Sequence, residues 1–244
     1  MNVIEKICEK KLKEKLSKMP VENLLSEMTN NSYYFPYNIW KKYFDKKSIE
    51  SGKWISWFAT REAEKITDLE QVQTLKKIIE NKNKNNEIRR KSFFCLGHLS
   101  KNTRNKELFE YLINYLKSEP EEIQETIFAS IRNAEKPIEY NLNPIIEILK
   151  NGKIGMKTSA AIALKNSENP EIELILLNSF QNEKNKHLQE MIASTLRTLG
   201  TEKSIYILEE KLKIAKGRDY KYFIENAIEG IKERINTNAN TVQN

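Results

Sequence analysis

Five segments of this chain can be laid over one another without a gap, and that register limits the fold more than any other feature. They are EIRRKSFFCLGHLS (87–100), EIQETIFASIRNAE (122–135), GMKTSAAIALKNSE (155–168), HLQEMIASTLRTLG (187–200) and YFIENAIEGIKERI (222–235). One column is always a large aliphatic: Leu96, Ile131, Leu164, Leu196 and Ile231, spaced 35, 33, 32 and 35 residues apart. Four residues earlier stand Ser92, Ile127, Ala160, Ile192 and Ala227; eight earlier stand Ile88, Ile123, Met156, Leu188 and Phe223. Positions 0, 4 and 8 share one face of a helix, so each segment predicts an amphipathic helix presenting the same stripe. The residue just before each anchor is small (Cys95, Ser130, Ala163, Thr195, Gly230), which lets a neighbouring helix come close. Between these segments lie further helical patterns at about 67–80, 105–117, 142–150, 169–180 and 202–215. Two helices every 32 to 35 residues predict an α-solenoid (a superhelix), since one hairpin alone cannot bury its apolar face.

Composition agrees with an all-α fold. Gly and Pro total 13 of 244 residues, too few for the frequent turns of a sandwich or barrel. Lys, Glu and Leu, all good helix formers, are abundant. The apolar share of 39% is enough for a sizeable core.

The segment EIRRKSFFCLGHL resembles the second helix of a HEAT or HEAT-like repeat through Ile88, Arg89, Ser92, Cys95, Leu96 and Gly97, and LRTLG (196–200) resembles the end of that motif. The resemblance covers about residues 67–235 and implies a solenoid of helical hairpins acting as a binding scaffold. The other copies carry Gln124, Lys157, Gln189 and Ile224 where the motif has its arginine.

Residues 1–66 stand outside the column pattern. The stretch 32–58 holds ten of the chain's 22 aromatic residues. Solenoid ends need atypical capping repeats, and aromatics bury the most area per residue, so 1–66 predicts a cap with Trp40, Phe44, Trp54 and Phe58 as fillers. The rival reading is a platform for stacking on bases or on a protein. Tyr33, Tyr34 and Tyr37 flank Pro36 and are its candidate contact residues. Val3, Ile4, Ile7, Leu12 and Leu16 fall on one face, which predicts a first helix covering an end of the core. Residues 236–244, NTNANTVQN, read as a disordered tail.

The net charge of +7 is unevenly spread. Residues 76–106 carry ten basic and two acidic groups, whereas 107–150 carry four basic and nine acidic. Arg89 and Arg90 fall in the first turn of a helix, where the macrodipole opposes cations by about 0.3–1 kcal/mol each, and Lys91 follows them as a third candidate. That cost points to a compensating use, such as an anionic partner. The residue after the anchor is Arg132, Lys165, Arg197 and Lys232 in four successive repeats, which predicts a ladder of cations; its bland counterpart is a solvated flank with local Glu partners.

Motifs for catalysis are missing. No CxxC, HExxH, Walker or GxGxxG pattern occurs, and no cofactor or metal is expected. The basic, all-helical pattern is similar to that of the HEAT-like DNA glycosylases of alkylation repair. Those enzymes use an aspartate beside tryptophans, whereas this chain has Asp only at 45, 68 and 219 and no Trp beyond Trp57. What that second resemblance implies here is DNA binding without catalysis. Cys8 and Cys95 form no motif, and the N-terminal residues hold no apolar run long enough for a signal peptide, so the expected location is cytoplasmic with no membrane span. The sequence thus predicts a non-enzymatic scaffold whose inner helices bind a protein partner with an acidic surface, the alternative being nucleic acid.

Overall fold

Helix boundaries follow the local chemistry. The side chain of Asn85 accepts from the Glu87 amide at 2.7 Å, that of Asn185 from the Leu188 amide at 3.0 Å and that of Thr201 from the Lys203 amide at 3.3 Å, each occupying a donor that an α-helix start leaves over. Pro20 and Pro120 each stand immediately before a helix, where the missing N–H costs nothing. The computed structural model describes residues 3–34 and 54–242, with thirteen α-helices and two short 3₁₀ turns among them. No helix among the described residues is long and apolar enough to cross a membrane.

The chain divides into two compact units, residues 1–105 and 106–244. The first contains α1 (Val3–Ser17), α2 (Val21–Glu27), α3 (Ile55–Ala63), α4 (Val72–Glu80) and α5 (Asn86–Thr103). Helix α2 packs on α3, α4 and α5, and α4 on α5, around Leu24, Leu25, Met28, Phe58, Leu75, Ile79, Phe93 and Leu96. Asn102 donates to the carbonyls of Glu64 and Ile66, both at 2.9 Å, and so ties α5 to the end of α3. By its contacts the α4–α5 hairpin groups with the N-terminal segment. Helix α1 is buried at Leu16 and half-buried at Cys8 and Leu12, while Val3 and Ile7 stay exposed.

The second unit contains α6 (Lys106–Asn114, continued by a 3₁₀ turn over Tyr115–Lys117), α7 (Glu121–Ile131), α8 (Asn143–Asn151), α9 (Ile154–Ala163), α10 (Glu171–Asn182), α11 (Lys186–Leu199), α12 (Glu202–Ile214) and α13 (Arg218–Val242). Each pair packs as a hairpin, and the second helices also pack in order, α7 on α9, α9 on α11 and α11 on α13. Ile131, Leu164, Leu196 and Ile231 have no exposed surface, and neither has Leu96 in the first unit. The small column does the work expected of it. Thr195 reaches across to the Ala161 carbonyl at 2.9 Å, and at Gly230 a Cβ would stand 2.5 Å from Nε of Arg197. Helix α13 runs to Val242, over residues expected to be a tail; extending an existing helix needs no new nucleus, so few apolar residues suffice.

In three of the five segments the column that holds the motif arginine has a shared task. Arg89 donates Nε to the Ile79 carbonyl at 3.0 Å, Gln124 donates to that of Glu119 at 2.7 Å, and Gln189 to those of Phe180 and Glu183 at 2.9 and 2.8 Å. Each reaches back to carbonyls at or just beyond the end of the preceding helix, which the helix itself leaves without donors.

Candidate anion-binding site

Of the ten site residues read from the sequence, the structure brings three together and assigns others to structural work. Arg89 is buried, bonded to the Ile79 carbonyl and to Oδ1 of Asn86 at 3.5 Å. It is not a surface cation. Arg90 lies 2.9 Å from both carboxylate oxygens of Glu87, and Lys91 lies 3.6 Å from the same group. Burial pushes the Glu87 carboxyl up, but Arg90 and Lys91 outweigh it and hold it below the usual range. The cost of cations in the first turn of α5 is thus met within the helix. The rest of the basic stretch is split: Lys82 and Lys84 precede α5, whereas Lys101 and Arg104 end it, and 18 residues of helix span about 27 Å.

The aromatic residues divide between core and surface. Phe58 is fully buried; Tyr34 meets its ring edge-on at 5.0 Å, Tyr33 stacks on Tyr34 at 5.7 Å, and Trp54 stands edge-on to Tyr33 at 5.5 Å. Tyr33 and Tyr34 are therefore half-buried members of a cluster, not a displayed pair. Trp54 and Trp57 are the more exposed, at 42% and 43%, and Arg61 lies over the Trp57 ring at 5.5 Å. Tyr37, Trp40 and Phe44 lie outside the described residues.

Arg132, Lys165 and Arg197 form the remaining set, all within the second unit. Arg132 caps the C-terminus of α7, Lys165 follows the last turn of α9, and Arg197 lies in the last turn of α11. Cations favour such positions, because the dipole's negative end faces them. Burial first, then the charges of Arg132 and Arg197, hold the Lys165 ammonium below the usual lysine range, so Lys165 feels both arginines. Lys165 Nζ leans to Oγ of Ser194 on α11 at 3.1 Å, and the Arg197 side chain lies against Gly230 on α13. The Lys165 and Arg197 side chains thus each step toward the next second helix. Among the described residues none of the three has a carboxylate within 4.0 Å. Lys232 does not join them. It pairs with Glu209 of α12 at 2.8 Å, because its position falls in the middle of α13, beside α12.

Beneath this row sits a residue the sequence reading passed over. Lys136 has no exposed surface, and its Nζ donates to the carbonyls of Ala134 at 2.7 Å and Lys165 at 2.8 Å. Its backbone pairs with the α9–α10 loop, donating to Asn166 O at 3.1 Å and accepting from the Glu168 amide at 2.9 Å. Burial pulls its pKa down to about 7. Two acceptors match the two N–H bonds of a neutral amine. Nothing in EKPIEY separates this lysine from an ordinary turn lysine. The arrangement as a whole offers three cations from three successive hairpins, none with a carboxylate partner among the described residues. Comparison with protein-family models and with curated proteins finds no match.

Proposed function

We propose that the chain is a non-enzymatic scaffold of HEAT-like helical hairpins, an α-solenoid, which binds a protein partner through an anionic surface set against Arg132, Lys165 and Arg197. The carrying observation is that Lys165 lies close enough to Arg132 and Arg197 to be repelled by both, yet none of the three has an acidic partner among the described residues. Holding like charges together without compensation costs stability, and a bound anion would remove that cost. The sequential packing of α7, α9, α11 and α13 supports the solenoid reading. A protein is favoured over duplex nucleic acid because the second unit carries 19 basic and 21 acidic residues, a net −2 that opposes a polyanion as a whole but not a few well-placed carboxylates. Two unbridged cysteines, Cys8 and Cys95, fit a reducing cytoplasmic setting.

The test is fluorescence anisotropy with labelled poly-L-glutamate at low salt, on the full chain and on the R132E/K165E/R197E variant. Binding by the parent, and its loss in the variant with an unchanged helical circular-dichroism signal, is the expected result. Equal binding by both proteins would refute the assignment. Tighter binding of duplex DNA than of poly-L-glutamate, with a linear log–log salt dependence, would transfer the function to nucleic acid.

A further inference from the structure

The row draws one cation from each of three successive packed helices, and the usual spacing of such helices bears on what form of acidic chain fits it. Packed helices stand about 8–10 Å apart, and the row takes one cation from each of α7, α9 and α11. In a β-strand, side chains on one face repeat every two residues, about 6.6 Å, or every four, about 13 Å, and neither matches. In a polyproline II segment every third side chain returns to the same face, about 9.3 Å on, which does match. An α-helix offers about 10.5 Å every seventh residue, so pitch alone does not separate these two.

The neighbouring column does separate them. One residue beyond each cation stand Asn133 and Asn166 in the first two repeats, both exposed, and neither side-chain amide makes a hydrogen bond among the described residues. Asn166 is held by its backbone: its carbonyl accepts from Lys136, its amide points to Thr198 Oγ at 3.4 Å, and its φ is +58°. A polyproline II segment has no internal hydrogen bonds and presents its peptide groups to such amides. A helix has already used its own.

We propose that the partner is an extended acidic segment in polyproline II form, with a carboxylate at every third residue, whose acids meet Arg132, Lys165 and Arg197 while Asn133 and Asn166 bond its backbone. This rests on the anionic-partner reading above and narrows it to a spacing.

The experiment compares three acetylated, amidated peptides of equal charge on the full chain by isothermal titration calorimetry at low salt. One has four Glu-Pro-Pro triplets, one has the same residues with the four glutamates adjacent, and one is an alanine-based helix with glutamate every seventh residue. The expected result is at least tenfold tighter binding of the triplet peptide than of either other. N133A/N166A should lose about tenfold for the triplet peptide but under twofold for the adjacent-glutamate peptide. R132Q/R197Q serves as a milder second variant and should weaken all three peptides. Equal affinity for all three peptides, lost together in R132Q/R197Q, would overturn the spacing and leave the anionic-partner reading standing. Preference for the helical peptide would also overturn the spacing. No peptide binding, or binding unaffected by R132Q/R197Q, would overturn both.

Discussion

The two units differ in charge in a way that misleads at first sight. The first carries 22 basic and 13 acidic residues, +9, and the second 19 and 21, −2, yet the candidate site lies in the second. In the first unit much of the positive charge is already engaged. Arg89 serves a carbonyl, Arg90 and Lys91 share Glu87, and Arg61 and Lys65 pair with Glu64 and Glu62 at 2.6 and 2.7 Å. In the second, Arg132 and Arg197 both act on Lys165, and among the described residues none of the three has a carboxylate partner. Binding strength at a surface follows the local, unneutralised field and not the sum over the unit.

The largest effect expected from this contrast is on binding. R132E/K165E/R197E should lower poly-L-glutamate affinity at least a hundredfold, measured by anisotropy, whereas reversing three first-unit lysines, Lys77, Lys84 and Lys101, should change it less than threefold. The opposite ranking would mean that bulk charge governs. Next in size is stability. Arg89→Ala should cost about 2–4 kcal/mol in urea unfolding, because it empties a buried site and leaves the Ile79 carbonyl without its donor. Arg90→Ala, which breaks only a partly exposed pair, should cost under about 0.5 kcal/mol. Similar losses from the two would erase the distinction between structural and surface arginines.

A smaller effect concerns pH. The unfolded chain keeps the Lys136 proton up to about pH 10.4, whereas the folded chain releases it near 7, so the unfolded state binds more protons in between. Stability should therefore rise by about 1–2 kcal/mol from pH 7 to about 8.5. Above that, Cys95 and then Tyr220 act in the opposite sense, since burial pushes both up to about 12. Lys136→Met should abolish the rise, whatever it does to absolute stability; a rise that persists would assign it to other groups. The smallest effect belongs to Lys232→Gln. Because Lys232 is paired with Glu209, the change should alter poly-L-glutamate binding less than twofold.

The buried anchors were legible because their signal is steric. Anchors at helical spacing must be buried for any hairpin to pack, and Leu96, Ile131, Leu164, Leu196 and Ile231 all are. The cations were only half legible, because a basic letter does not say whether its tip reaches water. Arg89 and Arg90 are adjacent and alike, yet helix geometry turns them about 100° apart, one into the interior and one toward Glu87. Lys232 occupies the ladder column, but its fate depended on Glu209, 23 residues away on another helix. Lys136 was invisible for the same reason: its burial comes from a loop thirty residues further on.

The column occupied by Arg89, Gln124 and Gln189 bears on how this chain could change without coming apart. What those sites supply is a hydrogen donor on a long arm, aimed at whatever oxygen the preceding coil leaves bare. Both a guanidinium and a carboxamide meet that need. Kinship between hairpins is therefore better sought in the reach of such latches than in the letters that spell them.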